Sequence, residues 1–278
     1  LPSGVLAFGK GMQEQNIDER VKRWHENIKN TAFFLILAGS QTAEVEGISS
    51  AGSTPISRRY TAIADAELLL RGPMSPKEWP LPPLPAGVSP ALISYVASSF
   101  LKIKPTVISS GLLQVPTFRH VCFESSKVGP ARCLSSGNAM DVSRVKLLLD
   151  GGFKIGRKLR SPLLLTECVP GGTTTAFAVL AGLGIDVNGL ISGSQRNPPS
   201  ELKRKLVNQG LKAAKLERNP SSISLMAAVG DPFQPIAVGL LMGAIESGQD
   251  VLLGGGCQML AVLALALNEI EPKSRSKF

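Results

Sequence analysis

The sequence predicts an α/β fold built around a mainly parallel β-sheet, and two patterns support this. Short apolar runs, loops rich in Gly, Ser or Thr, and helical patterns follow one another repeatedly along the chain. Several apolar runs lack polar alternation, as parallel strands do when helices cover both faces of their sheet. The chain has 278 residues, of which 44% are apolar, which is enough for a sizeable core. We expect one main α/β domain over residues 1–278, with an appended helical part.

Five apolar runs are predicted to be strands, at residues 32–38, 105–109, 162–166, 223–229 and 250–253. Eight stretches with helical periodicity are predicted to be helices, at residues 18–29, 61–70, 90–101, 141–149, 173–183, 201–215, 235–247 and 258–269. Asn16 or Asp18 is the predicted N-cap of the first helix. Residues 71–90 are predicted to form a loop, because they are rich in proline, which cannot donate to a helix or a sheet.

Cysteine and histidine are too few and too scattered for a structural metal site. The cysteines are Cys122, Cys133, Cys168 and Cys257, with no CxxC pair, and the histidines are His25 and His120. We therefore expect a reduced, cytoplasmic chain without a metal. Two histidines also leave little room for a serine or cysteine triad, and no GxSxG motif occurs.

The chain is basic, with 30 Lys and Arg against 21 Asp and Glu and a net charge of +9. This charge is compatible with binding of an anionic small substrate, with binding of a nucleic acid, or with a basic surface that binds neither. The net charge alone does not distinguish these possibilities. Residues 201–219 place lysines and arginines between apolar residues at helical spacing, which favours a solvated amphipathic helix. Stacking aromatic side chains are absent there, so we expect no nucleic-acid partner.

The most membrane-like stretch, residues 251–267, is apolar and uncharged. It is shorter than the roughly 20 residues that a spanning helix needs, and three glycines stand near its start. We therefore predict a buried strand, a turn and a core helix, and no membrane partner. Residues 1–11 do not resemble a secretory signal, so we expect that the chain is not exported.

Three loops share one design, in which small residues leave backbone N–H groups free at the start of a helix. They lie at residues 47–55, 170–175 and 254–258. Such helix starts attract phosphate or carboxylate groups. The carboxyl ends of parallel strands meet at one edge of a sheet, so we predict that the three loops converge on one cleft. The alternative for each loop is a turn or a cap that serves stability alone.

One acidic residue distinguishes the second of these loops. Glu167 comes shortly after three leucines, where burial would raise its pKa and prepare it to accept or share a proton. The alternative is a glutamate that pairs with a lysine or caps a neighbouring loop.

Two stretches resemble common nucleotide-binding motifs, but neither matches its motif completely. Residues 4–11 have the spacing of a P-loop, but Gly11 stands where magnesium binding needs Ser or Thr. The GGGCQM stretch places Met259 at the third glycine position of a dinucleotide fingerprint, and no acidic residue follows at the expected distance. No cofactor is predicted.

Taken in order, several stretches resemble one enzyme family. They are AGSQTAEVEGISSAGSTPISRRYTAIADAE, TECVPGGTTTA, ISGSQRNP, VGDPFQP and LLGGGCQMLAV. Together they resemble the nicotinate-nucleotide:dimethylbenzimidazole phosphoribosyltransferase family, and more closely a divergent branch of it. The resemblance implies a Rossmann-like three-layer α/β fold with a mainly parallel sheet, and a homodimer. It also implies transfer of phosphoribosyl from nicotinate mononucleotide to an aromatic base such as dimethylbenzimidazole, in cobalamin lower-ligand synthesis.

The resemblance also implies roles for particular residues. Glu167 matches the carboxylate near the base and is the implied catalytic residue. The implied substrate-binding residues are Gly171, Gly172, Thr173, Thr174, Ser192, Ser194, Asp231, Gly254, Gly255, Gly256 and Gln258.

The chain also departs from the family pattern. Val169 stands where characterised members have glycine, and Gly172 where they have asparagine, so the resemblance leaves the acceptor base open. The family carries a second glutamate in a C-terminal glycine-rich loop, whereas this sequence ends at EPKSRSKF without that loop. We expect either a chain truncated at its C-terminus or an activity that is absent or altered. The alternative function is a non-catalytic protein that binds a nucleotide or a cobamide precursor.

Overall fold

A computed structural model describes residues 14–79, 81, 89–191, 193 and 197–270. Within these residues the strands are β1 (Ala32–Ala38), β2 (Thr106–Ser110), β3 (Val121–Cys122), β4 (Leu163–Cys168) and β5 (Val251–Gly254). The helices are α1 (Glu14–Asn27), α2 (Pro55–Arg58), α3 (Thr61–Arg71), α4 (Ala91–Leu101), α5 (Val142–Gly156), α6 (Gly172–Gly182), α7 (Ser200–Ala214), α8 (Ser222–Val229), α9 (Phe233–Glu246) and α10 (Cys257–Asn268).

The five strands form one parallel sheet in the order β3-β2-β1-β4-β5. In the centre of the sheet, Phe34 of β1 pairs with Thr106 of β2 on one side and with Leu165 of β4 on the other. The chain first builds outward from β1 through β2 to β3, and later builds the other way through β4 to β5. The strand order therefore reverses between β1 and β4, and in such sheets the crevice at the reversal is where ligands bind.

The sheet is the middle of three layers. Along β1, Phe33, Leu35 and Leu37 pack against α3 and its neighbours, while Ile36 faces the other side, against α5, α6, α8, α9 and α10. Both faces of the strand are therefore buried, as its continuous apolar sequence predicts. On the second side, α5 and α9 lie very close together. A Cβ atom on Gly152 would lie 2.3 Å from the carbonyl oxygen of Ile236, so only glycine fits there.

The predicted α/β class and the parallel sheet are confirmed. Four of the five predicted strands are present with shifts of one or two residues at their ends. The prediction for residues 223–229 is wrong, because these residues form helix α8. A short apolar run suits a buried helix as well as a buried strand. Here Ser221 accepts a hydrogen bond from the backbone N–H of Ser224 and caps the helix. Strand β3 was missed because it has only two residues.

All eight predicted helices are present, but α1 begins four residues before its predicted start and α5 ends seven residues after its predicted end, at Gly156. The short helix α2 was not predicted. The predicted N-cap of the first helix is wrong, because α1 begins at Glu14 and so includes Asn16 and Asp18. In the predicted loop 71–90, Arg71 ends α3, and no helix or strand occurs in 72–79, whereas residues 80 and 82–88 lie outside the described residues.

The apolar stretch 251–267 forms β5, a turn and most of α10, as predicted. In the described part of the chain, no helix combines the length and the apolar character that a membrane crossing needs.

Candidate functional site

The loops that follow β1 and β4 meet at the point where the strand order reverses. After β1 the chain enters a short 3-10 turn, Gln41–Glu44, and after β4 it reaches Gly171. Gly171 has a left-handed backbone, with a φ of 78°, and a Cβ atom there would lie 3.0 Å from the backbone nitrogen of Ala43. Glycine is therefore needed both for the conformation and for the close approach.

The second and third glycine loops also touch. A Cβ atom on Gly172, the first residue of α6, would lie 2.7 Å from Nε2 of Gln258 in the first turn of α10. The starts of two helices thus lie side by side at the carboxyl edge of the sheet. The predicted convergence holds for loops 170–175 and 254–258, and the positive ends of two helices lie next to each other.

The first glycine loop reaches the same region indirectly, through a buried arginine. Arg58 is 4% exposed and donates to the carbonyl oxygens of Ala43, Gly52 and Val45, with distances of 3.1 Å to the last two. Burial lowers the pKa of Arg58. Ala43 contacts Gly171, so Arg58 links loop 47–55 to the turn after β4. Arg58 is not among the site residues predicted from the sequence.

A pocket opens on one side of this meeting point, and its empty space together with the solvent at its mouth amounts to about 360 Å³. Its walls are largely apolar, with a charged rim. The lining residues include Ala38, Ala43, Leu112, Leu113, Pro130 and Pro170, and the rim is formed by Glu44 and Arg59. Arg59 donates to Glu44 at 2.8 Å. Pro170 belongs to the turn after β4, so the pocket adjoins the predicted acidic residue along the chain.

Glu167 lies near the end of β4, on the same face of the sheet as the buried Leu165. Part of its surface is exposed, but dense protein around the carboxyl group weakens its hydration. Burial raises the pKa of Glu167 to about 7, and the negative charge of Asp231 acts in the same direction. The backbone N–H of Val169 donates to the carboxylate and acts against both. A carboxyl group with this pKa can take up or release a proton near neutral pH.

Asp231 lies behind Glu167, in the turn between α8 and α9, and is fully buried. Its carboxylate accepts hydrogen bonds from Thr175 Oγ1 at 2.5 Å, from Gln258 Nε2 at 2.7 Å and from the backbone N–H of Phe233 at 3.0 Å. Asp231 and Gln258 were predicted to bind substrate. The structure brings them together, and the polar atoms of their side chains contact one another.

Lys203 reaches the second glycine loop from α7. It is 2% exposed, and its ammonium group donates to Thr173 Oγ1 at 3.0 Å. A Cβ atom on Gly193 would lie 3.4 Å from the same nitrogen. Burial lowers the pKa of Lys203. A cation therefore lies beside the start of α6.

The prediction that residues 201–219 form a solvated helix holds for Arg204, Lys205 and Lys212 but not for Lys203. A signal for this was present. Lys203 precedes Val207 by four residues, which places both on the buried face of α7.

The other predicted site residues lie as follows. Thr174 is fully buried, and its hydroxyl has no hydrogen-bond partner among the described residues. Gly254 ends β5, and Gly255 and Gly256 are exposed in the turn that leads to α10. Ser192 and Ser194 lie outside the described residues.

A second polar cluster, which the sequence analysis did not identify, lies on the opposite face of the sheet. Cys168 follows Glu167 directly, and its thiol lies 3.5 Å from Oδ2 of Asp65 in α3. Ser89 donates to the other oxygen of Asp65 at 2.6 Å. Burial raises the pKa values of both Cys168 and Asp65. Ionisable groups thus flank the end of β4 on both faces.

The chain shares its fold with two solved structures from Thermus thermophilus. One is described as CobT, with a TM-score of 0.66, 17% identity, and coverage of 96% of this chain and 76% of that one. The other is described as a nicotinate-nucleotide-dimethylbenzimidazole phosphoribosyltransferase, with a TM-score of 0.62, 20% identity, and coverage of 86% and 64%. Both similarities concern the fold.

The sequence itself is similar to proteins of marine cyanobacteria. No protein-family model matches the chain. The UPF0284 protein of Prochlorococcus marinus strain MIT 9313 is 55% identical over 275 residues, which are 99% of this chain and 68% of that protein. UPF0284 protein SYNW1869 of Parasynechococcus marenigrum strain WH8102 is 54% identical, with coverage of 99% and 69%. At this identity and coverage, the chain belongs to the family of UPF0284 proteins.

Proposed function

We propose that the chain is a phosphoribosyltransferase that uses nicotinate mononucleotide as donor and an aromatic base resembling dimethylbenzimidazole as acceptor, in cobalamin lower-ligand synthesis. The observation that carries the proposal is the position of Glu167. A carboxyl group with a pKa of about 7 lies beside a glycine turn, with a lysine close to that turn. The shared fold with the two Thermus thermophilus structures supports the same function.

The phosphate of the nucleotide is assigned to the start of α6. The positive end of the helix begins there, Thr173 offers a hydroxyl, and Lys203 supplies a positive charge. The exposed turn at Gly255 and Gly256 lies beside it and is assigned to the rest of the nucleotide. An anchored phosphate fixes the ribose relative to the acceptor, which removes much of the entropic cost of the reaction.

The reaction exchanges one bond at the anomeric carbon of the ribose for another. A ring nitrogen of the acceptor base forms the new bond to this carbon with its lone pair. The bond to nicotinate breaks, and its electron pair returns to the pyridine nitrogen. The acceptor then carries an excess positive charge, and its second ring nitrogen loses a proton to the carboxylate of Glu167. Because the pKa of Glu167 is about 7, part of the population is ionised and able to accept this proton at neutral pH.

The acceptor base is assigned to the pocket beside Pro170. Its apolar walls, which include Leu112 and Leu113, suit a flat aromatic ring. The charged pair of Arg59 and Glu44 at the rim would contact polar substituents on that ring. The departures at Val169 and Gly172 alter the same region, so we propose an acceptor of this class without choosing one compound.

The test combines binding with turnover. Calorimetry with nicotinate mononucleotide should show binding to the wild-type chain and similar binding to Glu167→Gln, because the substitution leaves the phosphate site intact. Release of nicotinate in the presence of dimethylbenzimidazole should fall roughly 100-fold or more in Glu167→Gln, since general base catalysis typically contributes a factor of 10²–10⁴. Binding without release by the wild-type chain would favour the non-catalytic nucleotide-binding protein, and no binding at all would reject both functions.

A further inference from the structure

The first turns of three helices converge on one buried carboxylate. Asp231 receives the backbone N–H of Phe233 from α9, the hydroxyl of Thr175 from α6, and the side-chain amide of Gln258 from α10. The amide of Gln234 in α9 donates in turn to the Oε1 atom of Gln258 at 3.0 Å. Burial raises the pKa of Asp231, and the positive helix ends and the directed donors act against this rise by favouring the ionised form.

Glu167 is much less well supplied with donors. Among the described residues, the backbone N–H of Val169 donates to its carboxyl group. Asp231 accepts hydrogen bonds from the three donors named above, and the backbone N–H of Gln234 also lowers its pKa. Two buried carboxyl groups that interact cannot both ionise without a cost in free energy. The better hydrogen-bonded member, Asp231, therefore keeps its negative charge, and Glu167 is the member that takes up a proton as the pH falls through about 7.

We propose that Asp231 is a positioning residue, which holds the first turns of α6 and α10 together behind Glu167 and, by its fixed negative charge, makes Glu167 a stronger proton acceptor. This inference rests on the proposed function, because it takes Glu167 as the group that accepts a proton from the acceptor base. Asp231 is fully buried and bonded to protein groups, which favours this role over direct contact with a substrate.

Few other ionisable groups surround the pair. Cys168 follows Glu167 on β4, Cys257 begins α10, and Lys203 on α7 lies beside the start of α6. The sequences of α6, α8 and β1 contain no ionisable side chain, and the one in α9, Glu246, lies at the far end of that helix. The turn after β1 adds Glu44, which pairs with Arg59, and α5 adds Arg144, which pairs with Glu124 and, like Pro232, lies beside Gly111. Asp231 is thus the carboxylate whose negative charge raises the pKa of Glu167.

The experiment follows the carboxyl carbon of Glu167 by NMR in protein labelled with ¹³C-glutamate, over a range of pH. The variant Glu167→Gln identifies the signal, because the signal disappears in it. In the wild-type chain the titration midpoint is expected near pH 7. In Asp231→Asn, which is close to isosteric, we expect the midpoint to fall by about one pH unit or more, since a neighbouring negative charge is lost.

A second pair of variants guards against a failure of Asp231→Asn to fold. Thr175→Val removes one donor to Asp231 at nearly constant volume, so the proton moves toward Asp231 and the midpoint of Glu167 should again fall. Thr175→Ser keeps the hydroxyl and should leave the midpoint unchanged. An unchanged midpoint in Asp231→Asn, or in Thr175→Val when the first variant does not fold, would overturn the proposal.

The titration uses no nucleotide and measures no turnover, so its outcome is separate from that of the binding experiment. A midpoint that falls in both variants while nicotinate mononucleotide fails to bind would reject the proposed function and support the coupling of the two carboxyl groups. A midpoint that does not move would reject the coupling, whatever the nucleotide does.

Discussion

At the scale of single residues, Glu167 acquires its properties from its place at the end of a buried strand. The strand carries it away from bulk water, and Asp231 adds a like charge nearby. Its position after three leucines made burial and a raised pKa predictable from the sequence. The proximity of Asp231 to Glu167 could not be predicted from the sequence, because the two residues are distant in the chain. Only the turn between α8 and α9 brings them together.

The raised pKa of Glu167 makes the stability of the fold depend on pH. In the unfolded chain this group ionises above about pH 4.5, and in the folded chain only above about pH 7. Between these values the folded state binds more protons, so the free energy of unfolding falls as pH rises. Glu167→Gln should remove this contribution and be more stable than the wild type at pH 8, by on the order of 2–3 kcal/mol.

Urea denaturation at pH 5 and pH 8 measures this difference. The pKa values of Asp65 and Cys168 are also raised, so these groups add their own pH dependence to the stability of both proteins. The wild type and the variant are therefore compared with each other at each pH. A wild type and a variant that lose stability in parallel between the two pH values would contradict the account.

Lys203 shows where residue-scale prediction stops. An amphipathic pattern assigns lysines to the solvated face by default, and this is correct for most of α7. One lysine occupies the buried face instead, because its ammonium group has Thr173 as a partner at the start of α6. Helical spacing relative to Val207 indicates the burial, but the partner belongs to another helix and is not visible in the sequence.

At the scale of elements, most boundaries could be predicted because the periodic signal was strong. The element whose type was predicted wrongly, α8, is a short run of apolar and small residues that fits a strand or a helix equally well. Tertiary packing determines that this segment is a helix, since Leu225, Met226 and Val229 all point into the core beside α9 and α10. Loop 47–55 is the opposite case, because its shape depends on one side chain from α2.

Arg58 donates to four backbone carbonyl groups, those of Ser49 and Gly52 in that loop and those of Ala43 and Val45 before it. Arg58→Met keeps much of the side-chain volume but leaves buried carbonyl groups without a donor. We expect the free energy of unfolding to fall by about 2–4 kcal/mol. Arg59→Met is the matched control, since it removes the same charge from the neighbouring position, where the side chain is 45% exposed and pairs with Glu44.

Chemical denaturation of both variants under one condition gives the comparison. The control should change stability little, because exposed ion pairs contribute little. Equal losses in the two variants would show that charge, and not the carbonyl contacts, explains the effect of Arg58.

At the scale of the whole molecule, the sheet order determines where the site lies. The sequence predicted a parallel α/β architecture, but not the order β3-β2-β1-β4-β5, because strand neighbours depend on how the helices pack and because β3 spans only two residues. Once β1 and β4 are adjacent, the turns that follow them must meet, and Gly171 and Ala43 are in contact. The convergence of the glycine loops is a consequence of this topology.

The most direct test of the nucleotide site is calorimetric titration with nicotinate mononucleotide of the wild type, Lys203→Met and Lys205→Met. Lys205 lies on the exposed face of the same helix and controls for the loss of one positive charge. If the phosphate binds at the start of α6, Lys203→Met should weaken binding roughly 10- to 100-fold, the value of a charged hydrogen bond, while Lys205→Met should bind like the wild type. Equal affinities in all three proteins would contradict a phosphate site at Lys203, and so would equal losses in the two variants.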